Sequence, residues 1–374
     1  MLKPRYVFYL LLFILLCCKK PYSPPASSTP NSYLVVEGII NSGNDSTVII
    51  LSKTVQLTSK TIYNPVLGAT VTVEGEQNGV YYLIDNTNSG HYRSLYSLNL
   101  SPSQKYRLRI VNGNRQYLSD FVAAKLTPPI DSVGYNILKG DVNVYVNTHD
   151  PANNTRYYRW DYDETWQFHS KYQSAFVADT VLDMVVPRTP EQQVYNCFGN
   201  DVSPNVIINS TAQLAKDIVY QNSVVQIPLG SEKVETRYSI LLRQYALTQE
   251  AFQYYQALKK NTEQLGSIFD AQPSELTGNI HCTTDPGEPV LGYVAACNIQ
   301  SKRIFISHSD LPGDVQTIYP YDCEVDTAMD AYDTFIVKPV SVVPILAAKK
   351  GYSYSSIPCV DCTFRGVTKA PPWW

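Results

Sequence analysis

Short runs of β-branched and tyrosine residues, cut off by Asn, Gly, Ser or Pro, decide most of what this 374-residue chain can fold into. "YLVVEGII", "STVIILSKT", "GATVTVEG", "YYLID" and "KYRLRIV" follow one another between Tyr33 and Leu126. Each is too short for a stable helix and carries side chains that suit a pleated surface. They predict a mainly β fold whose first unit, 33–126, is a β-sandwich. Gly113, in "NGN", marks a hairpin turn. "LTPPIDS" then breaks the pattern, because Pro128 and Pro129 remove two ladder donors. The domain boundary is therefore expected at 126/127.

From there the alternation restarts. Val142, Val144 and Val146 share one face of "VNVYVNTHDP". In "RYYRWDYDETWQF" Tyr158, Trp160 and Tyr162 take one face, and Tyr157, Arg159 and Asp161 the other. Strands are also expected at "VVQIPL", "TRYSILLRQYAL" and "KRIFISH". One segment reads as a helix. Thr248 is a natural N-cap, Glu250 suits the first turn, and Phe252, Tyr255 and Leu258 recur at helical spacing to about Glu263. Ile268 and Phe269 are expected to pin the returning loop, which turns at Pro273 and Gly278-Asn279. Residues 127–374 thus read as a larger β-rich domain with a helical insertion near 248–281.

The N-terminus sets the compartment. Lys3 and Arg5 precede a charge-free run from Val7 to Leu16, too short to span a bilayer and typical of a secretory signal. The run ends Leu15-Leu16-Cys17-Cys18, which resembles a bacterial lipobox. Cys18 fits as the lipidated residue, with Leu15 and small Cys17 ahead of it; Cys17 fits worse behind bulky Leu16. Three acyl chains, at about 0.8 kcal/mol per buried CH₂, would anchor the chain without a transmembrane helix. Residues 1–17 then form the signal peptide and 18–32, rich in Pro, Ser and Lys, a flexible tether. Net charge is −3, falling to −5 once Lys3 and Arg5 are removed, which argues against a nucleic-acid partner. Two lysines follow Cys18 directly, so the facing of the anchored protein, surface or periplasm, stays open.

"PVLGATVTVEG", "GHYRS" and "LSPSQKYRLRIVNGNRQYLSD" resemble strands of immunoglobulin-like and transthyretin-like sandwiches. Across the mature chain "YLVVEGIIN", "DPANNTRYYRWDYDETW", "RYSILLRQYALTQEAFQYYQALKKNTEQLGSIFDAQPSELTGNIHC" and "CVDCTFRGVTKAPPWW" resemble a Bacteroidota lipoprotein family of unassigned function. That resemblance implies an outer-membrane location and a TonB-dependent receptor as partner. It supplies no catalytic residues and no cofactor.

Six cysteines remain after Cys18: Cys197, Cys282, Cys297, Cys323, Cys359 and Cys362. In an exported chain an even count reads as disulfides, leaving no free thiol. Cys282 and Cys297 flank a loop and strand that could close on themselves. Cys359 and Cys362 have thioredoxin-like spacing without a βαβ context, so structural bonds within the motif or to Cys323 and Cys197 are expected. His91, His149, His169, His281 and His308 form no HExxH-like pair. Asp161, Asp163 and Glu164 lack the Gly and terminal Glu of a calcium loop. No nucleophile-elbow, P-loop or dinucleotide motif occurs, so enzymatic chemistry is not expected. Ser46, Ser132, Thr180 and Thr327 each follow an Asp, in three-residue patterns that resemble O-glycan acceptors of exported proteins. The 29 tyrosines against 11 phenylalanines suit a wet binding surface or a plain sheet surface. Trp160 and Trp166 are expected as core anchors, and Trp373 and Trp374 as a docked end. The reading expected first is a non-enzymatic accessory or ligand-capture lipoprotein; a structural or adhesion lipoprotein comes second and a hydrolase last.

Overall fold

The computed structural model describes residues 32–55, 63–263, 276–313, 316–337 and 342–374. The signal segment, Cys18, nearly all of the tether, and Ile268, Phe269 and Pro273 lie outside the described residues. The fold is mainly β.

Eleven strands form the first sheet. Leu34–Asn41 runs antiparallel to Val48–Lys53, which in turn pairs His91–Arg93. Lys105–Asn112 pairs Thr70–Gly75, Arg115–Ser119 and Val122–Lys125. Asn112 faces Arg115 across a two-residue turn in which Gly113 has φ +61°, as the "NGN" motif requires. The core beneath includes Val36, Ile40, Ile49, Leu51, Tyr92 and Tyr106.

This sheet is not built by 33–126 alone, which corrects the expected division of the chain. Val290–Gly292 and Ala295–Cys297 pair in parallel with Leu34–Asn41, and Ile280–Cys282 pairs Arg115–Ser119. The chain therefore leaves the first sheet, builds a second layer system and returns to finish the first. At the crossing Gly292 has φ +137°, and a Cβ there would meet the Val36 carbonyl oxygen at 2.1 Å. Only glycine permits that approach. Short apolar runs such as "PVLGYVAAC" carry no mark of which sheet they join, so the sequence pattern assigned them to their chain neighbours.

The second core lies between a three-stranded sheet (Ile130–Leu138, Asp141–Asp150, Asp217–Pro228) and a five-stranded one (Tyr157–His169, Asn196–Val202, Ile207–Ser210, Arg237–Ala246, Gln300–Ser307). Val142, Val144 and Val146 meet Tyr158, Trp160 and Tyr162 there, on the faces the alternation assigned them. Trp166 is 8 % exposed and belongs to the same core. Gln244 is fully buried. Its amide donates to the Pro128 carbonyl (2.9 Å) and Thr148 Oγ1 (3.0 Å), and its oxygen accepts from Trp160 Nε1 (2.9 Å).

Helix α1 spans Gln249–Glu263, with Thr248 Oγ1 accepting from the Ala251 amide. Its underside packs Ala251, Tyr255, Phe252 and Leu258 onto Tyr245 and Leu247 of the second system and Ile39, Ala295 and Cys297 of the first. The helix is therefore a wedge between the two sheet systems, not an appendage of the second alone.

A small sheet of Asp326–Ala328, Val342–Ala347 and Tyr352–Ser356 ends the fold. Two disulfides tie this region down: Cys197–Cys362 and Cys323–Cys359. Cys359 and Cys362 thus bond outward, to Cys323 and Cys197. The expected Cys282–Cys297 bond is absent, and both are buried free thiols. Cys282 points into the first core, whereas Cys297 points into the wedge core beneath α1, so the two sulfurs face different interiors. The final residues dock on the second system. Arg303 lies 3.5 Å from the Trp373 ring centroid, Arg237 lies 5.3 Å from that of Trp374, and Phe198 and Phe305 meet Trp374 edge-on.

Candidate functional site

The period-2 alternation that fills each core also decides what each sheet shows outside. In Leu34–Asn41, Leu34 and Val36 point into the first core, which leaves Val35, Glu37 and Ile39 on the other face. Val48 and Ile50 alternate with buried Ile49 and Leu51, and His91 and Arg93 flank buried Tyr92. In the second system Arg159, Asp161 and Asp163 alternate with Tyr158, Trp160 and Tyr162, and Arg243 and Tyr245 with Leu242 and Gln244. These two outer faces turn toward each other. Between them lies a cleft of about 860 Å³, closed at one end by Tyr254, Tyr255 and Leu258 of α1 and by Leu291 and Tyr293 of the returning segment.

The polar wall is a network. Asp161 sits opposite Arg243, and Arg159 opposite Tyr245, in the strand register. Arg243 Nε donates to Asp161 Oδ1 (2.5 Å), while its terminal nitrogens grip both oxygens of Asp163 (2.6 and 2.7 Å). Arg159 donates to Asp161 Oδ2 (3.2 Å) and to the Tyr255 hydroxyl (3.4 Å). Its guanidinium also lies 5.1 Å from the Tyr245 centroid and 4.8 Å from that of Tyr255. Burial acts to lower the pKa of both arginines, but their acidic and phenolic neighbours outweigh it and raise both. Burial, helped by Asp161, raises the Tyr245 phenol. Burial, with Tyr255 and Glu37 nearby, pushes Tyr254 up to about 12. Each of these groups keeps its protonated form across the neutral range.

Beside the cleft, Cys297 Sγ lies near Thr127 and the Ala246 amide, and burial pushes its thiol up to about 12. A thiol held neutral in this way is a poor nucleophile.

The other candidate residues scatter. Glu164 points to the opposite face from Asp161 and Asp163, where it pairs with Lys233 and accepts from Tyr238 (2.7 Å). No group of three or more His, Cys, Asp or Glu among the described residues is placed to hold a metal. His149 Nδ1 lies 2.7 Å from Asp131 on the surface, and the Asp131 hydrogen bond and charge raise its pKa. His169 contacts Glu235 and Tyr319, and His281 lies 3.7 Å from Asp120. Of the glycan candidates, Thr180 and Thr327 are exposed. Ser46 lines the cleft and accepts from Arg93 (3.3 Å), and Ser132 accepts from Asn147 (2.9 Å).

Sequence reasoning placed Arg159 and Asp161 on one face but did not pair them with Arg243, Tyr245 or Tyr293. The alternation in "TRYSILLRQYAL" holds the signal for Arg243 and Tyr245. Nothing local in the sequence says that this face meets the back of the first sheet.

No curated protein sequence matches this chain. Among solved structures, a chain from a structure of manganese lipoxygenase of Gaeumannomyces graminis with a partial zonadhesin of Komagataella pastoris is similar at 10 % identity. It covers 60 % of this chain and 91 % of that one, with a TM-score of 0.18. A candidate carbohydrate-binding protein from Bacteroides uniformis is similar at 14 % identity, covering 59 % of this chain and 92 % of that one, with a TM-score of 0.15. Likeness at this level carries no argument about fold or ligand. A family model does match, over residues 19–303 and so across most of the chain, and this protein therefore belongs to the family described as domain of unknown function DUF4249.

Proposed function

We propose that the protein is a non-enzymatic, lipid-anchored outer-membrane lipoprotein that captures a ligand for a TonB-dependent receptor. The observation that carries this reading is the cleft of about 860 Å³, walled by two sheet faces and closed by tyrosines of α1. Its size falls within the range of small-molecule sites, and its mixture of apolar and polar lining suits them. The arginines and aspartates along its wall are locked to one another, an arrangement for binding rather than for moving protons. Anchorage at Cys18 follows from the lipobox-like sequence, and the receptor partner from the resemblance to Bacteroidota lipoproteins. The first sheet, with its strands returning from 280–297, is in this reading a transthyretin-like sandwich. Thr180 and Thr327, both exposed, are the acceptors most open to O-glycan addition.

Affinity purification from detergent-extracted outer membranes tests the reading. A large β-barrel receptor is expected to co-purify with the tagged protein. Recovery of the protein alone, across gentle detergents and with chemical cross-linking, would remove the receptor from the proposal.

A further inference from the structure

We infer that the cleft takes a neutral, polyhydroxylated ring compound, a short oligosaccharide; the inference rests on the ligand-capture reading above and adds the class of ligand. Charge is the first ground. Arg93, Arg159 and Arg243 on the walls balance Glu37, Asp161 and Asp163. Arg243 commits all three side-chain nitrogens to Asp161 and Asp163, and Arg159 is held by Asp161 and between two phenol rings. An anionic ligand would compete with those carboxylates for Arg159 and Arg243, while exposed Arg93 donates to Ser46 Oγ (3.3 Å) at the rim. A cationic one would have to displace the arginines. Neither exchange is favourable where the existing pairs are part-buried and already hydrogen-bonded to one another.

The second ground is the remaining hydrogen-bonding capacity. Each carboxylate oxygen has two lone pairs; the Asp161 and Asp163 oxygens are each engaged by one arginine nitrogen, and Asp161 also by the Tyr245 phenol, which leaves lone pairs on both carboxylates. They can still accept from a hydroxyl. A hydrocarbon ligand would instead strip water from these oxygens and return nothing, at the cost of a desolvated acceptor.

The third ground is shape. Facing the wall of Arg159, Asp161 and Arg243, Val35, Val48, Ile50 and Leu291 give an apolar strip beside Glu37, His91 and Arg93. At the closed end Tyr254 lies against Tyr293, with ring centroids 5.4 Å apart and planes tilted by 34°. A ligand suited to all of these has an apolar ring face and a hydroxylated rim. A pyranose has both: its axial C–H bonds form the face and its hydroxyls the rim. Aromatic rings that are rigid and half-buried bind such faces with little entropy loss.

The test is binding by the chain from residue 19 onward to an immobilised panel of neutral glucan, mannan and xylan fragments. Sulfated and uronic-acid oligosaccharides and a mixture of tripeptides serve as comparators. At least one neutral series is expected to bind saturably, with affinity unchanged between low and high salt, because no charge is transferred into the site. Tyr254→Ala is expected to weaken that binding about tenfold. Ile50→Trp, which fills the cleft from a face that does not enter the first core, is expected to abolish it while thermal unfolding stays near that of the parent. Salt-sensitive binding of the anionic or peptide probes alone, lost in Ile50→Trp, would overturn the neutral class and leave ligand capture standing. Neutral-sugar binding that survives both substitutions would place the sugar outside the cleft and overturn the inference. Binding of no probe also overturns it, and the receptor co-purification then judges the wider reading separately.

Discussion

Gln244 shows how much a single polar side chain can hold together in a β core. Fully buried, it links Trp160 on the neighbouring strand to Pro128 and Thr148 of the facing sheet system. Gln244→Leu keeps the volume but leaves the Trp160 N–H and the Pro128 carbonyl without partners. The expected loss is about 2–4 kcal/mol, read as a lower urea midpoint with unchanged slope; an unchanged midpoint would show that water replaces the amide. The two free thiols are the other test at this scale. Unreduced chain from residue 19 onward should label two cysteines after denaturation and none in the native state, since Cys282 and Cys297 are buried. Burial raises the Cys297 thiol from its ordinary 9.0 to about 12. Between those values the native state keeps a proton that the unfolded chain has released. Stability is therefore full below about pH 9 and falls as pH rises toward 12, by up to about 1.4 kcal/mol per pH unit from this group alone. Tyr254 adds to the fall over the upper part of the same window, because burial and its neighbours also raise it to about 12. Cys297→Ala should flatten part of the slope in urea titrations at alkaline pH.

At the scale of elements, strand patterning was the most legible property of the sequence. The alternation of Val142, Val144 and Val146, and of Tyr158, Trp160 and Tyr162, fixes which face is buried because a one-residue slip would expose the whole set. The helix was legible for a different reason: Thr248 supplies the cap, and Tyr255 and Leu258 supply the stripe. What covers the stripe was not legible, because the covering residues, Ile39 and Ala295 among them, are remote in sequence. The cleft was half-legible for the same reason. Each of its walls is written in one strand's alternation, but their meeting depends on a tertiary crossing. Since α1 is wedged into a core, it should not behave as a gate. An isolated helix of this length is marginal in water, so its order comes from packing. Hydrogen exchange at residues 252–262 is expected to be nearly as slow as in Arg237–Ala246. Exchange within seconds would mark a mobile element and undo the wedge description.

On the scale of the whole molecule, two predictions concern which parts of the chain depend on one another. The first is attachment: Cys18→Ala should release the protein from the outer-membrane fraction, whereas Cys17→Ala should leave it there, and retention of the Cys18 variant would end the lipid-anchor proposal. The second concerns the path of the chain. If 33–126 were a self-sufficient sandwich, a fragment ending at 126 would fold. In the structure it would lack Val290–Gly292 and Ala295–Cys297, leaving one side of Leu34–Asn41 unpaired, and it would lack Ile280–Cys282 beside Arg115–Ser119. It would also lose Ile280, Val290 and Val294 from its core. Burying those three side chains contributes on the order of 4–9 kcal/mol before chain entropy is subtracted. That is comparable to the entire stability of an ordinary domain, about 5–15 kcal/mol. Residues 32–126 alone are therefore expected to be unfolded or aggregated. The same fragment joined through a long Gly-Ser linker to 277–298 is expected to fold, giving a dispersed amide NMR spectrum and a cooperative urea transition. A dispersed spectrum from 32–126 by itself would show that the returning strands are dispensable. The cleft's first wall would then be independent of the α1 segment, and the two sheet systems would be separable units after all.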